Sequence, residues 1–206
     1  MSGRSRGRGL DAVDAAIAFG GELYGEPSDI NFDAAFSHIL TLLGDAALLF
    51  MRQSFGTAAF LAITAIEETA KAHIGVFRRD RTEGRSKGID PLRNHKQKHH
   101  MAILPTVLMS RRLNEVLGQE TCARLQREAE NDGFTTIREA SLYFDRVGDC
   151  FATPATAVSA FRAWELVLLA IEALDDNLIG YTNYSMAQSE HVNTLFNQIA
   201  AMRPES

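Results

Sequence analysis

The stretch "GTAAFLAITAIEETAKA", residues 56–72, decides how this chain folds. Ala58, Leu61, Ala62, Ala65, Ile66 and Thr69 recur at spacings of three and four, the period of an α-helix and not of a strand. Ile63, Ala65, Ile66, Ala70 and Ala72 surround its polar end with small or apolar side chains, so the helix is expected to pack on more than one side. Glu67 and Glu68 are adjacent and stand about 100° apart on a helix, so both cannot point away from a bundle. A carboxylate turned inward needs a partner. Lys71, four residues after Glu67 and three after Glu68, is within reach of both. From pattern alone, Glu67, Glu68 and Lys71 read first as a structural ion pair.

Upstream, "GEPSD" at 25–29 is turn chemistry, and Asp33 is the expected cap of a helix carrying Phe36, Ile39, Leu40, Leu43, Ala47 and Phe50 on its stripe. Downstream, the Gly- and Arg-rich "FRRDRTEGRSKGIDP" at 77–91 reads as a connection closed by Pro91. A third helical stretch starts near Pro91, and Pro105 should kink or end it. Residues 111–132 read as one helix or two short ones, stopped at Gly133. The segment "IREASLYFDRVGDCFATP", 137–154, is too polar and too punctuated for a long helix. After Pro154 a long apolar helix presents Val158, Phe161, Ala163, Trp164, Val167, Leu168 and Ile171, and a weaker one covers about 187–202. The fold class is therefore all-α, a helical bundle with an irregular insertion near residues 131–153. Residues 1–30 read as a flexible N-terminal arm and lead-in, and 31–206 as a single helical domain.

Composition limits the function classes. The chain has 206 residues, of which 46% are hydrophobic, enough for a substantial core. A net charge of −5 excludes a protein whose whole surface binds nucleic acid, though not a local basic patch. Only Cys122 and Cys150 occur, and neither lies in a CxxC, so no disulfide framework or zinc knuckle is expected and the cytoplasm is the simplest location. The runs "AALLFM" and "WELVLLAI" are short and interrupted, so no membrane span is expected. The basic start "MSGRSRGRG" lacks the apolar segment of a signal peptide.

Against this acidic background, "RNHKQKHH" at 93–100 concentrates one arginine, two lysines and three histidines. As a helix it would set Arg93, Lys96 and His100 on one flank and His95 and His99 on another. The histidine pair with Glu67 or Glu68 would suit a metal, but the Glu-x-x-His repeat of carboxylate-bridged bundles is missing, since Ala70 and Lys71 hold the required positions. No metal and no cofactor are expected. Phosphate chemistry fits better: arginine grips phosphate oxygens, and histidine moves a proton between a ribose 2′-hydroxyl and a leaving oxygen near neutral pH. The plain alternative is a solvated basic helix start. His38 and His73 sit in apolar helices and read as core histidines.

Taken in order, "LLGDAALLFMRQSFGTAAFLAITAIEETAKA", "NHKQKHH" and "REASLYFDRVGDCFATP" resemble the AbiV family of abortive-infection proteins, a branch of the HEPN superfamily of helical domains. The resemblance covers roughly residues 34–180. Glu67, Glu68 and Lys71 match the family's Glu-Glu-x-Gly-Lys run, with Ala70 in place of its glycine. The "HKQK" at 95–98 and the "LYFD" at 142–145 before Pro154 match two further family segments. The resemblance implies antiphage defence in which infection arrests the host, and a homodimer. The superfamily also contains ribonucleases with an Arg-x4–6-His signature, met here by Arg93 with His99 or His100.

The expected function is thus an abortive-infection protein acting on RNA or translation, as a metal-independent ribonuclease or an RNA binder. Arg93 would clamp phosphate, and His99 or His100 would act as acid and base. Glu67, Glu68, Lys71, Asn94, His95, Lys96, Lys98, Tyr143 and Asp145 would bind RNA or support the site. Leu142, Tyr143 and Phe144 have a simpler reading as a plug into the bundle. The alternative from another class is a non-catalytic dimeric module that binds a phage-encoded trigger protein or a translation component. The apolar helix around Trp164 would supply surface for a dimer.

Overall fold

A computed structural model describes residues 8–78, 88–103, 105–148 and 150–205. The tip of the basic arm and the arginine-rich part of the 77–91 connection lie outside the described residues. Helix α1 (Arg8–Phe19) precedes two long helices, α2 (Ser28–Met51) and α3 (Phe55–Phe77). A 3-10 turn (Pro91–Arg93) leads into α4 (His95–Ala102). Short helices α5 (Pro105–Met109), α6 (Arg111–Leu117), α7 (Gln119–Glu130) and α8 (Gly133–Ala140) follow. A two-stranded antiparallel hairpin, β1 (Asp145–Val147) and β2 (Cys150–Ala152), pairs Arg146 with Phe151. The chain closes with α9 (Pro154–Ala157), α10 (Ala160–Leu178), α11 (Asn183–Ala187) and α12 (Ser189–Ala200).

The all-α reading is correct, and α3 is central to it. This helix packs against α2, α10, α4 and α8. Its small side chains are what allow so many neighbours: Ala58, Ala59, Ala62, Ala65, Ala70 and Ala72 are all buried, with Ile63, Ile66 and Ile74 between them. At Gly56 a Cβ would stand 2.8 Å from the carbonyl oxygen of Pro154, so the start of α9 approaches α3 as only glycine permits. The second central helix is α10, buried continuously from Ala163 to Leu174. Trp164 is fully enclosed, and its indole N–H donates to the carbonyl of Ile199 in α12 at 2.7 Å. The expectation that the Trp164 helix offers surface for a dimer is therefore corrected, because its own chain covers it.

Buried acids fix α10 to the α6–α7 pair. Arg112 bridges Glu172 at 2.5 Å and Asp175 at 2.7 Å. Glu165, almost fully buried, is shared by Arg124 and Arg162, and both arginines also reach Glu128. Burial pushes the carboxyls of Glu172 and Asp175 upward in spite of the Arg112 guanidinium. The break between α6 and α7 falls at Gly118, whose φ of +84° is left-handed backbone that favours glycine.

Several boundaries differ from expectation. Helix α2 begins at Ser28 and not at Asp33, because the extended Pro27 already ends the turn and Asp29 sits in the first turn, where a carboxylate favours the helix dipole. Asp33 instead accepts from the Thr182 hydroxyl at 2.6 Å. Helix α2 is also long and apolar enough to cross a membrane by length and composition, which corrects the expectation that no stretch qualifies. Yet Phe32, Phe36, Ile39, Leu43, Ala46, Ala47 and Phe50 lie inside the core. Residues 8–19, expected in a flexible arm, form α1 because Ala12 and Ala16 are small enough to bury against the bundle. Arg78 ties α1 down: its Nε donates to the carbonyl of Ala16 at 2.9 Å, and its guanidinium forks onto Asp90. That fork also joins the two ends of the 77–91 connection.

Leu142, Tyr143 and Phe144 do not plug the bundle. All three are exposed, and so is Phe151. Phe144, just before β1, and Phe151 of β2 stand in solvent together, with ring centroids 5.4 Å apart. His38 is likewise no core histidine, since it lies on the exposed face of α2. His73 is half-buried, edge-on to Phe77, and its burial lowers its pKa.

Candidate functional site

Asn94 starts α4 by accepting from the backbone N–H of Gln97 at 3.2 Å, an N-cap with extended backbone. This fixes the phase of the helix. His95, Lys98 and His99, spaced i, i+3 and i+4, then share the flank that faces α3. Opposite them stands Glu67, only 3% exposed.

One carboxylate collects this whole flank. Oε2 of Glu67 is 2.7 Å from Nδ1 of His95 and 2.7 Å from Nζ of Lys98. Its Oε1 lies 3.2 Å from Nε2 of His99 and 3.6 Å from Nε of Arg138 in α8. Burial alone would push this carboxyl upward. The bonds from His99, Lys98 and His95 and the Lys98 charge outweigh it, lowering the pKa from 4.5 to about 2. Glu67 is therefore an anion near neutral pH, and an ionised carboxylate only accepts hydrogen bonds. Both histidines must donate to it: His95 through Nδ1 and His99 through Nε2.

The two imidazoles then have different prospects. The His95 ring is 44% exposed, with its Nε2 edge not engaged among the described residues. The His99 ring is fully enclosed, edge-on to Phe134 at 5.6 Å, and its Nδ1 has no hydrogen-bond partner among the described residues. His100 is also buried and bonds the Glu130 backbone carbonyl; burial lowers its pKa. Beside it is a cavity of about 20 Å³ walled by Gly9 and Leu10 of α1, far too small for a nucleotide.

The remaining expected site residues scatter. Arg93 is exposed and lines a cavity of about 550 Å³ with Phe19, Gly20, Gly21 and Asp90, so it does not share a cleft with His99 or His100 in the single chain. Glu68 pairs with Lys71 at 2.5 Å on another face of α3. Lys96 pairs with Asp132 at 2.6 Å. Tyr143 and Asp145 are exposed at the hairpin, where Asp145 accepts from the N–H of Arg146 at 2.7 Å. Among the described residues, no group of three or more His, Cys, Asp or Glu side chains is arranged to hold a metal.

Arg138 and Phe134 were not anticipated. They stand four apart in α8, so one face of this short helix carries both the ring under His99 and the guanidinium beside Glu67. Arg138 also lies over the Phe60 ring at 5.1 Å. The only trace in sequence is that spacing in "FTTIREA", which names no partner.

Acid should disturb this cluster in a defined direction. Because the Glu67 carboxyl falls from 4.5 to about 2 on folding, its contribution is complete above about pH 4.5 and is lost as pH falls toward 2. Thermal unfolding should shift to lower temperature over that window, and less so in Glu67→Gln, whose side chain does not titrate. Equal acid sensitivity in both proteins would refute the assignment.

The HEPN_AbiV family, AbiV, matches this chain over residues 32–174. No curated protein and no solved structure matches it. The matched span runs from α2 through most of α10 and includes Glu67, the basic run, Arg138 and the hairpin. The chain belongs to the AbiV family of HEPN-type abortive-infection proteins.

Proposed function

We propose that this abortive-infection protein acts on RNA as a ribonuclease that needs no metal, with His95 moving the proton and Arg93 gripping phosphate. The supporting observation is the His95–Glu67 pair. A buried anion holds Nδ1–H of a half-exposed imidazole, which leaves Nε2 with its lone pair toward solvent. This is the arrangement of a general base oriented by a carboxylate. Nε2 takes the proton of a ribose 2′-hydroxyl as that oxygen attacks phosphorus. The P–O5′ bond breaks, the 5′-oxygen leaves with a proton from water, and a 2′,3′-cyclic phosphate remains. Arg93 and Lys96, both reachable from solvent close to His95 in sequence, supply positive charge to the phosphate. His99 and His100, the sequence candidates, become structural in this scheme, because their enclosed rings face Phe134 and Glu130.

A second reading keeps the same defence role without cleavage. The exposed Leu142, Tyr143, Phe144 and Phe151 favour it, since an apolar hairpin standing off the bundle suits a phage-encoded trigger or a translation component. Purified protein with end-labelled RNA in EDTA separates the two. Fragments ending in cyclic phosphate support the ribonuclease; retention of intact RNA, or no interaction at all, refutes it and leaves the binding module.

A further inference from the structure

We infer that a cavity between the lead-in to α2 and the end of α3 binds an aliphatic polyamine. The space measures about 350 Å³ and is walled by residues 22–26, the start of α2, the end of α3 and the 181–182 bend. Small-molecule sites typically occupy about 300–1,000 Å³. Three aromatic rings form the apolar side of this one. Tyr24 and Tyr181 each stand 5.8 Å from Phe32, at interplanar angles of 71° and 52°, so the rings form a corner and not a flat stack.

The rings are held in place by the chain itself. The Tyr24 hydroxyl donates to the carbonyl of Ala72 at 2.7 Å, and Asn31 donates to the Tyr24 carbonyl. Gly75 lets the edge of Tyr24 press on α3, where a Cβ would stand 2.7 Å from Cε2 of that ring. Phe32 is 3% exposed and cannot swing away. Tyr181 also meets Phe77 at 6.3 Å, and its neighbour Thr182 is bonded to Asp33 of α2. Such preorganisation lowers the cost of ordering a site around a small ligand.

Charge selects the kind of ligand. Glu22, Glu26 and Asp29 line the same cavity; all three are exposed, and none has an ion-pair partner among the described residues. Arg78 is the one basic residue of the lining, and its guanidinium is already committed to Asp90 and the Ala16 carbonyl. Asp29 lies in the first turn of α2, where the helix dipole offsets part of its charge, so Glu22 and Glu26 carry most of the attraction. An anion would be repelled here. A bare metal ion would leave the rings idle, and a neutral apolar molecule would leave the carboxylates idle. Methylenes linking ammonium groups use both: the rings cover the methylenes and draw the cation, and the carboxylates accept from the ammonium groups. Carboxylates from two elements suit a ligand with more than one ammonium group. Glu22 and Arg78 also line the cavity that holds Arg93, so the two spaces share a wall. The inference goes beyond the ribonuclease reading and does not rest on it: a chain that binds polyamine and cuts no RNA leaves it standing.

The test is calorimetric titration of the full chain with spermidine, in salt at about 0.15 M to screen loose attraction. One saturable site is expected, with a dissociation constant below about 1 mM. Magnesium should bind at least about tenfold more weakly. Glu22→Gln with Glu26→Gln should weaken spermidine binding about tenfold and leave the unfolding midpoint of the free protein unchanged, because both side chains are exposed and unpaired. Glu120→Gln with Glu190→Gln removes the same charge from exposed positions on α7 and α12 and should not weaken it. Tyr181→Ala should weaken binding about five- to tenfold, whereas Tyr181→Phe, which keeps the ring, should bind as the parent does. Saturation of the protein's aromatic protons should pass to the spermidine methylenes. The proposal is overturned by no saturation at about 5 mM, by equal affinity for magnesium, or by equal weakening in the Glu120/Glu190 control. Parent-like affinity in Tyr181→Ala or in the Glu22/Glu26 variant overturns it too.

Discussion

Glu67→Ala is expected to cost on the order of 3–5 kcal/mol of folding stability, whereas Glu68→Ala, one residue away, should stay within about 1 kcal/mol. The two glutamates share a helix and a charge but not a surrounding. Glu68 pairs with Lys71, and both are partly in water. Among the described residues Glu67 is the single anion paired with Lys98, Arg138 and two imidazoles, and Lys98 is itself only 6% exposed. Removing Glu67 leaves the Lys98 ammonium enclosed and unpaired. The protein must then strip its proton or open α4 away from α3. A typical domain has only about 5–15 kcal/mol to lose. Urea unfolding of the two variants measures the difference; equal midpoints would show that the Glu67 cluster contributes no more than a surface pair.

His95→Ala should lower RNA cleavage by a factor of about 10²–10⁴, the usual worth of a positioned acid–base group, and should also lower the unfolding midpoint, since it removes a donor from the buried Glu67. His99→Ala should cost more stability, because it empties space over Phe134 as well as removing a donor from Glu67, yet keep cleavage at temperatures where it is folded. The opposed order of the two variants matters because a merely structural role for His95 would make loss of cleavage follow loss of stability. Full cleavage by His95→Ala, with loss in a folded His99→Ala, would return the chemistry to the histidine favoured by sequence spacing.

The sequence reveals the helical class and the inward carboxylate for one reason: both depend on local periodicity. Alanine at so many positions of α3 announces a helix enclosed by neighbours, and two adjacent glutamates force one of them inward. Which histidine of "RNHKQKHH" remains accessible is not a local property. Successive residues turn by about 100°, so the choice among His95, His99 and His100 depends on where α3, α7 and α8 lie. Asn94 sets the helix phase as a cap, a role that a count of basic residues overlooks. Arg138 joins Glu67 from a distant helix, and nothing in its own heptapeptide says so. The hairpin misleads in the opposite direction: Leu142, Tyr143 and Phe144 look like core by composition, yet they stand in solvent. Alanines at 12 and 16 do the converse, turning an apparent lead-in into a packed helix.

The most direct measurement is the tautomer of His95 in the intact protein, read from long-range proton–nitrogen correlations of imidazole-labelled material at a pH where the ring is neutral. Because the ionised Glu67 accepts from Nδ1, His95 should carry its proton on Nδ1 and keep Nε2 bare, while His99 shows the opposite form. A His95 ring protonated mainly on Nε2 would mean that Glu67 does not hold it, and the base proposed for RNA cleavage would have no lone pair to offer.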